Sequence, residues 1–431
     1  MQPVSLVRIR LLSLVARKTA ASLQGRMPGV SCFRRLPSSK LRREPQFDEG
    51  ASAARRVDSQ RAAPSGGSKK LMHLTAANLP YFLMDRGLLD AGDIVDGSLS
   101  VLETSRRNRN FKVIRKNAPG LFLKQMRDMQ TDAMFTLKRE ALCYEIARDI
   151  PALARIMPRL IRYDETRATL VLELLPEAES LLAYHARNKG FPIEIGNMLG
   201  EGLGVYHSQA GAFLGHPKLN GMLVRQMPII LRLGIDGHAM LGQFGRIGPA
   251  ISALMQQHRD FEALLNALGE EWRFDSLVHG DMKWDNVLVF TTDGRLDFRI
   301  ADWEMADCGD AAWDVGAVLQ SFLTAWIMSM PIASALPPDS YIGMAAQPLE
   351  AMRPVLKAFW RRYAETRGFD TSLQRKELER CMRFAAARLV WSAVEQRMYM
   401  AQVDPFAAAL LQVSLNILKD PPRAVKEFLD V

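Results

Sequence analysis

The sequences HGDMKWDN at residues 279–286 and IADWE at residues 300–304 decide the fold. An apolar run at 287–290 follows the first motif, and a second one at 298–300 leads into the other motif. Thr292-Asp293-Gly294-Arg295 separates the two runs. Apolar runs joined through an Asp-Gly dipeptide predict two strands connected by a tight hairpin turn. We therefore predict a loop, a strand, a turn, a second strand and a second loop, in this order.

This hairpin would place Asn286 directly before one strand and Asp302 directly after its partner, so their side chains should lie close together. Carboxylate and amide oxygens suit Mg²⁺, which takes few protein ligands and completes its shell with phosphate and water. Asp281 would lie beside that metal, where it could orient or deprotonate an incoming hydroxyl. The order H-x-D-x-x-x-x-N followed by D is typical of phosphoryl-transfer enzymes.

The two motifs resemble those of the aminoglycoside phosphotransferase and choline kinase family, whose members are small-molecule relatives of the protein kinases. The resemblance extends to residues further along the chain, namely Gly309, Asp310, Trp313 and Asp314. It covers about residues 75–420 and is sharpest in the segment that contains the two motifs. The resemblance implies Mg²⁺-dependent transfer of the ATP γ-phosphoryl group to a hydroxyl of a small-molecule acceptor.

The fold implied by the resemblance is a two-lobed, protein-kinase-like α+β fold. We expect a β-rich N-terminal, nucleotide-binding lobe at 75–178 and a helical C-terminal lobe at 179–431 that carries catalysis and acceptor binding. A basic leader and linker at 1–74 would precede them. The large lobe should contain helices at 356–364 and 378–397, which have the apolar spacing of packed helices.

The resemblance also implies roles for individual residues. Asp281 would be the catalytic base, and Lys283 would neutralise charge on the transferring phosphoryl group. Asn286 and Asp302 would hold the metal. His279 would brace the loop that contains Asp281.

A lysine for the nucleotide phosphates should lie in the small lobe. Residues 110–115 alternate as a strand, Pro119-Gly120 predicts a turn, and residues 121–124 predict the next strand. Lys124 then falls where the family's third-strand lysine contacts the α- and β-phosphates. The amphipathic stretch 135–149 predicts a helix, on which Glu140 is the expected partner of Lys124 and Glu145 is the alternative.

The other nucleotide contacts are expected from the backbone. The loop at 103–110 contains no glycine, unlike the phosphate loop of protein kinases, so we expect the amides of Ser105 and Arg106 to hold phosphate. The Glu173 carbonyl and the Leu175 amide should face the adenine edge, by analogy with the family's inter-lobe linker. The glycines at 200–204 lie in a helix-like stretch without a preceding strand, which indicates helix packing instead of nucleotide binding.

Composition excludes several other classes of protein. Residues 1–70 carry 15 Lys/Arg and 4 Asp/Glu, a net charge of +11, so the rest of this +9 chain carries −2. The basic charge therefore belongs to the leader, and we expect no nucleic-acid partner. Four widely spaced cysteines argue against a zinc site or a disulfide framework: Cys32, Cys143, Cys308 and Cys381.

The leader has several possible origins. It is rich in arginine and has no acidic residue before Glu44, which is typical of an organelle transit peptide. A disordered basic tail fits equally, as does translation from Met27 or Met72, and residues 64–70 are typical of a linker. We expect a cytoplasmic protein, with organelle targeting as the alternative.

No membrane span is expected. The uncharged stretch at 315–338 contains polar residues and Pro331, so it should be a buried helix of the large lobe. The oligomeric state stays open.

Two other functions and the identity of the acceptor stay open. The absence of glycine in the phosphate loop would suit a catalytically inactive nucleotide-binding scaffold. A protein kinase is disfavoured, because HGD and DWE replace the H-R-D and D-F-G triplets. A cationic acceptor would bind well if carboxylates after the metal aspartate, such as Glu304 and Asp307, line its cleft, whereas Asp310 and Asp314 are expected to anchor the loop.

Overall fold

The computed structural model describes most of the chain outside the leader. The described ranges are residues 73–104, 108–127, 131–209, 214–332 and 338–431. The leader at 1–72, with both alternative start methionines, lies outside them, and so do Ser105 and Arg106. The predictions made for these residues therefore stay predictions.

The N-terminal lobe is built on an antiparallel five-stranded sheet. Its strands are β1 (Leu99–Glu103), β2 (Arg109–Arg115), β3 (Leu121–Gln125), β4 (Leu160–Asp164) and β5 (Thr169–Glu173), in the order β1-β2-β3-β5-β4. The strands predicted at 110–115 and 121–124 are thus confirmed as β2 and β3. Alternation buries Phe111 and Val113 on one face of β2, because side chains two residues apart share a face.

Four helices accompany this sheet in the described residues: α1 (Leu79–Asp85), α2 (Ala91–Val95), α3 (Thr131–Ile146) and α4 (Pro151–Ile156). Leu79, Phe82 and Leu83 of α1 join Phe111 and Val113 in a small core on one side of the sheet. The helix predicted at 135–149 is confirmed as α3, although it begins and ends earlier. Its residues Leu137, Ala141 and Tyr144 enter the main core, which fixes the polar face of α3 toward the site.

The C-terminal lobe is mainly helical, as predicted. The described helices are α5 (Leu181–Asn188), α6 (Ile193–Ser208), α7 (His238–Leu241), α8 (Gly248–Gln257), α9 (Arg259–Glu270), α10 (Ala311–Met328), α11 (Pro338–Ile342), α12 (Leu349–Thr366), α13 (Thr371–Gln396), α14 (Pro405–Lys419) and α15 (Pro421–Leu429). The helix predicted at 356–364 is the inner part of α12, and the one predicted at 378–397 is the C-terminal part of α13, which ends one residue earlier. Of the three residues expected in the core of these helices, Trp360 and Leu389 are buried, whereas Trp391 is only half-buried.

Short strands carry the loops of the site between these helices. They are β6 (Glu179–Ser180), β7 (Ser276–Val278), β8 (Val287–Thr292), β9 (Arg295–Ile300) and β10 (Asp307–Gly309). The order β6-β8-β9 forms one small sheet, and β7 pairs with β10 in another. Both sheets are antiparallel. The pairs β6–β8 and β7–β10 join segments that are distant in sequence, and this pairing fixes where the connected loops lie.

Helix α10 is long and apolar enough, by length and composition, to cross a membrane. Most of its residues are nevertheless buried, and it packs against α13 and α14 in the large lobe. Polar residues Asp314, Gln320 and Ser321 are buried along it. The prediction of a buried core helix in this segment is therefore confirmed for the described part.

The glycines of α6 allow a close helix–helix contact, as predicted from their helix-like context. Helix α6 lies against α12, and a Cβ atom at Gly200 would overlap the Phe359 carbonyl oxygen. Gly204 faces the Thr366 side chain at 2.6 Å from the same hypothetical position. These two glycines, four residues apart, therefore lie on the face of α6 that meets α12.

We expect Gly200→Ala to lower the free energy of unfolding by about 1–3 kcal/mol, because the added methyl group forces backbone of α6 and α12 apart. Denaturation by urea, followed by circular dichroism, measures this loss. Gly92→Ala is the control, because a Cβ there meets nothing within 4 Å and alanine favours a helix. Equal stability of Gly200→Ala and the wild type would contradict the close packing.

Candidate active site

The hairpin predicted between the two motifs is confirmed as β8 and β9. Val287 pairs with Ile300, and Asp293 and Gly294 adopt positive φ angles of 50° and 74° in the two-residue turn. Such angles match the twist of a tight hairpin. Beyond the paired ends, the Ala301 amide donates to the Asn286 carbonyl at 2.9 Å. The hairpin therefore brings the residues next to Asn286 and Asp302 together at one end.

The loop before β8 is fixed by Asp314 near the start of α10. One carboxylate oxygen of Asp314 accepts the His279 amide at 2.7 Å, and the other accepts the Gly280 amide at 3.0 Å. The His279 ring adds a contact with the Ala301 carbonyl at 3.0 Å. These contacts give His279 the bracing position that the sequence indicated, and they give Asp314 the anchoring one.

Asp281, Lys283 and Asn286 are in direct contact. Lys283 Nζ lies 2.8 Å from Asp281 Oδ2, and Asn286 Nδ2 donates to the same oxygen at 3.1 Å. Asn286 Nδ2 also donates to the Asp281 carbonyl at 2.8 Å. Burial disfavours the charged form of Lys283, but the nearby Asp281 carboxylate outweighs this effect and raises the pKa of Lys283.

Lys124 of β3 meets three carboxylates from two different elements. Its Nζ lies 2.8 Å from Glu140 on α3, 2.5 Å from Asp302 and 2.9 Å from Glu304, both of which follow β9. Glu140 is thus the ion-pair partner of Lys124, as expected, whereas Glu145 pairs with Lys218 at 2.5 Å. Burial would lower the pKa of Lys124, but the three carboxylates raise it well above its usual value.

The same carboxylates form a group suited to a divalent cation. One oxygen from each of Glu140, Asp302 and Glu304 lies within 4.8 Å of the others. With all three ionised and Lys124 charged, the cluster carries a net charge of −2, and its donors are oxygens of the kind that Mg²⁺ prefers. Asp302 stays accessible, with 41% of its side chain exposed, so a metal ion can reach it.

Asp302 is held in an unusual backbone conformation. Its φ angle is 68°, which is uncommon for a residue other than glycine, and its amide donates to the buried Tyr144 hydroxyl at 3.2 Å. Burial opposes ionisation of its carboxyl group, but the Lys124 ammonium outweighs burial and lowers the pKa of Asp302. Tyr144 and Glu140 both belong to α3. This helix therefore holds the Asp302 backbone directly through Tyr144, and the Asp302 side chain indirectly through the Glu140–Lys124 ion pair.

The segment predicted to contact adenine lies after β5, where the chain leaves the small sheet. Glu173 ends β5, and its side chain accepts the Arg159 amide at 2.8 Å. The Leu174 amide donates to the Gly120 carbonyl at 3.0 Å, which ties this segment to the turn before β3. Glu173 and Leu175 thus lie in the connection between the lobes, and their adenine contacts stay a prediction.

The carboxylates after Asp302, two of which could line an acidic acceptor cleft, have protein partners in the structure. Glu304 contacts Lys124, and Asp307 accepts the amides of Arg225 and Gln226, each at 3.0 Å. Asp310 caps α10 through the Ala312 amide at 2.9 Å and forms an ion pair with Arg380. A cationic acceptor at Glu304 or Asp307 would have to share these carboxylates with their protein partners, so the acidic acceptor cleft stays a prediction.

Sequence reasoning missed four residues that the fold brings to the site. Glu304 is a possible acceptor contact in the sequence analysis, Tyr144 is only an apolar residue of the predicted helix, and Arg139 and Arg388 have no role in it. Arg139, which precedes Glu140 on α3, donates to the Glu304 carbonyl at 2.5 Å. Arg388 is the single charge within the apolar stretch 384–391, a signal of a buried charge that needs a partner.

Comparison with known proteins places the chain in a family. The family model described as the phosphotransferase enzyme family matches residues 99–336, which is more than half of the 431-residue chain. These residues include both motifs and Lys124. A search of curated protein sequences found no match.

Solved structures similar to this chain include a macrolide 2′-phosphotransferase, MphH from Brachybacterium faecium, at 17% identity and a TM-score of 0.43, covering 77% of this chain and 97% of that one. The choline kinase LicA from Streptococcus pneumoniae is 12% identical with a TM-score of 0.42, covering 78% and 99%. A streptomycin–ATP–APH(2″)-IIa ternary complex is 16% identical with a TM-score of 0.44, covering 79% and 99%.

The family match and the site agree on one architecture. The five-stranded lobe carries Lys124 and, through α3, Glu140, while the helical lobe carries both motif loops. This is the two-lobed, protein-kinase-like arrangement of small-molecule phosphotransferases. The chain belongs to the phosphotransferase enzyme family.

Proposed function

We propose that this phosphotransferase moves the γ-phosphoryl group of ATP to a hydroxyl group of a small molecule, in a Mg²⁺-dependent reaction. The observation that carries the proposal is the meeting of Lys124, Glu140 and Asp302, with contacts of 2.8 and 2.5 Å to the lysine. A buried lysine and acidic oxygens from both lobes suit a Mg²⁺–triphosphate group. The hydrogen bond from Asn286 to Asp281 places the Asp281 carboxylate next to a proposed metal ligand, where it could accept the proton of the hydroxyl group.

Asp281 is the proposed base. As the acceptor oxygen attacks the γ-phosphorus, its proton passes to the Asp281 carboxylate, the new P–O bond forms and the bond to ADP breaks. Lys283, at 2.8 Å from Asp281, is placed to offset negative charge on the transferring group. Positioning and charge neutralisation account for most of the rate in such reactions.

The remaining proposed contacts hold the nucleotide and metal. Asn286 and Asp302 would supply oxygen ligands, and a bound Mg²⁺ would neutralise charge on the phosphate oxygens. Lys124 would contact the α- and β-phosphates while Glu140 orients its ammonium. The backbone amides of Ser105 and Arg106 would hold phosphate, and the Glu173 carbonyl and Leu175 amide would bind adenine.

The experiment for this proposal measures ADP release from Mg·ATP with a panel of small alcohols, aminoglycosides, choline-like amines and sugars. Stimulation by one class identifies the acceptor and supports the proposal. ATP binding without turnover on any acceptor would instead indicate an inactive scaffold. Phosphate transfer to protein substrates but not to small molecules would indicate a protein kinase.

We expect Asp281→Asn to lower turnover by roughly 10²-fold or more, because a general base contributes on this order. Binding of Mg·ATP, measured by calorimetry, should survive, since Asp281 is not a proposed metal ligand. Asp285→Asn on the same loop is the control, because its exposed carboxylate has no proposed role. Turnover of Asp281→Asn within a factor of two of the wild type would refute the assignment.

Asp302→Ala should weaken Mg²⁺-dependent nucleotide binding, because it removes a proposed metal ligand. The measurement is the dissociation constant of ATP at several Mg²⁺ concentrations. Removal of the carboxylate should flatten the Mg²⁺ dependence. A dependence identical to that of the wild type would show that the metal binds elsewhere.

Tyr144→Phe should raise the Mg²⁺ concentration needed for half-maximal activity about five-fold. The reason is that the variant loses the hydroxyl that accepts the Asp302 amide, a hydrogen bond with a net value of about 1 kcal/mol. Tyr163→Phe is the matched control, because in the described structure the buried Tyr163 hydroxyl has no hydrogen-bond partner. An unchanged Mg²⁺ requirement in Tyr144→Phe would contradict this role for the hydroxyl.

A further inference from the structure

Arg388 lies beneath the loop that contains Asp281. It is the single charged residue in the stretch Phe384-Ala385-Ala386-Ala387-Arg388-Leu389-Val390-Trp391 of α13, and only 5% of it is exposed. Its guanidinium group lies 4.8 Å from the centre of the Trp313 ring. Such a position is costly for a charge unless a partner compensates it.

The contacts of Arg388 point to the Asp281 loop. One terminal nitrogen donates to the Gly280 carbonyl at 3.0 Å, and the other lies 3.8 Å from Asp281 Oδ1. Burial lowers the pKa of Arg388, while the charges of Asp281, Asp314 and Glu395 oppose this effect. In the described part of the chain, the Asp281 carboxylate is the ion-pair partner of Arg388 within 4 Å.

The peptide unit before Asp281 has little freedom. Gly280 has a φ angle of 80°, and a Cβ atom there would lie 2.6 Å from the Met305 carbonyl oxygen. Its amide is bound by Asp314, and its carbonyl accepts both Arg388 and the Trp313 indole, the latter at 3.1 Å. Arg388 differs from Trp313 and Asp314 in being placed to interact with the Asp281 side chain as well.

The two oxygens of Asp281 have different surroundings. Oδ2 receives Lys283 and Asn286, whereas Arg388 faces Oδ1 from the buried side. The planar guanidinium group of Arg388 is fixed by its hydrogen bond to the Gly280 carbonyl, so its second terminal nitrogen presents positive charge to Asp281 Oδ1 from a defined direction, at an ion-pair distance of 3.8 Å. Arg388 therefore links the orientation of the Asp281 carboxylate to the backbone of its own loop.

We propose that Arg388 is a positioning residue for phosphoryl transfer: it fixes the orientation of the Asp281 carboxylate toward the incoming hydroxyl without touching nucleotide or acceptor. This inference rests on the proposed function of Asp281. If Arg388 were purely structural, replacing it would affect folding. The resulting change in kcat would then be the same with and without the Asp281 carboxylate.

The test uses the full chain and Mg·ATP, with water as the acceptor, and measures ADP release per folded molecule. We expect Arg388→Met to lower kcat about 10- to 100-fold, the loss typical of a misplaced reacting group, with the dissociation constant of Mg·ATP changed less than about three-fold. The same substitution in the Asp281→Asn background should change kcat less than about two-fold, because residues that act through one another are not additive.

Arg380→Met is the matched control on the same helix. Arg380 is buried and forms an ion pair with Asp310, and it lies eight residues, or about 12 Å along a helix, from Arg388. Its loss should lower thermal stability without changing kcat per folded molecule. A fall in kcat equal to that of Arg388→Met would overturn the proposal, because any buried arginine of α13 would then have the same effect.

Arg388→Lys carries the test if the methionine variant does not fold. It keeps a charge but loses the planar fork, so kcat should fall at least about five-fold with Mg·ATP binding retained. A wild-type kcat in both Arg388→Met and Arg388→Lys would refute the role of Arg388. An equal fold-loss of kcat in the wild-type and Asp281→Asn backgrounds would also refute it. Wild-type turnover in Asp281→Asn alone would instead refute the proposed function, so the two failures are distinguishable.

Discussion

The buried ammonium group of Lys124 is the interaction on which the site depends. It joins β3, α3 and the loop after β9 through contacts of 2.5 to 2.9 Å with three carboxylates. When all three carboxylates are ionised, one positive charge does not balance three negative ones. Burial, together with the charges of Asp302 and Glu304, accordingly raises the pKa of Glu140 to about 7. A cation bound at this cluster would offset its excess negative charge.

A second constraint fixes the opposite wall of the site. Asp314 binds two successive amides of the loop at 279–280, and α10, which carries Asp314, is buried in the large lobe. The small lobe thus positions Lys124 and Glu140, and the large lobe positions Asp281, Asp302 and Glu304. Within the large lobe, the hairpin β8–β9 joins the loop that contains Asp281 to the loop that contains Asp302, because Asn286 precedes β8 and Asp302 follows β9. Chemistry at this site therefore requires both lobes to fold.

The parts of the site that sequence predicted are those defined by short segments. The hairpin followed from the Asp-Gly turn between apolar runs, because turn chemistry and strand alternation are local. The pairing of Lys124 with Glu140 followed from family position and helix periodicity. Arg388 lies 108 residues from its Gly280 partner, so a local pattern predicts that it is buried but not what it contacts. Such long-range contacts depend on helix packing, which no window of sequence contains.

The same distinction explains why the acceptor could not be assigned from acidic residues. Counting carboxylates after Asp302 suggested a cleft for a cation, but the count ignored the donors that the fold brings to them. Asp307 satisfies backbone amides of a segment about 80 residues earlier, and Asp310 meets an arginine on α13. Glu304 belongs to the cluster around Lys124. The negative charge of this segment therefore takes part in the contacts that hold the loop and surround Lys124, and a count of carboxylates does not by itself identify an acceptor.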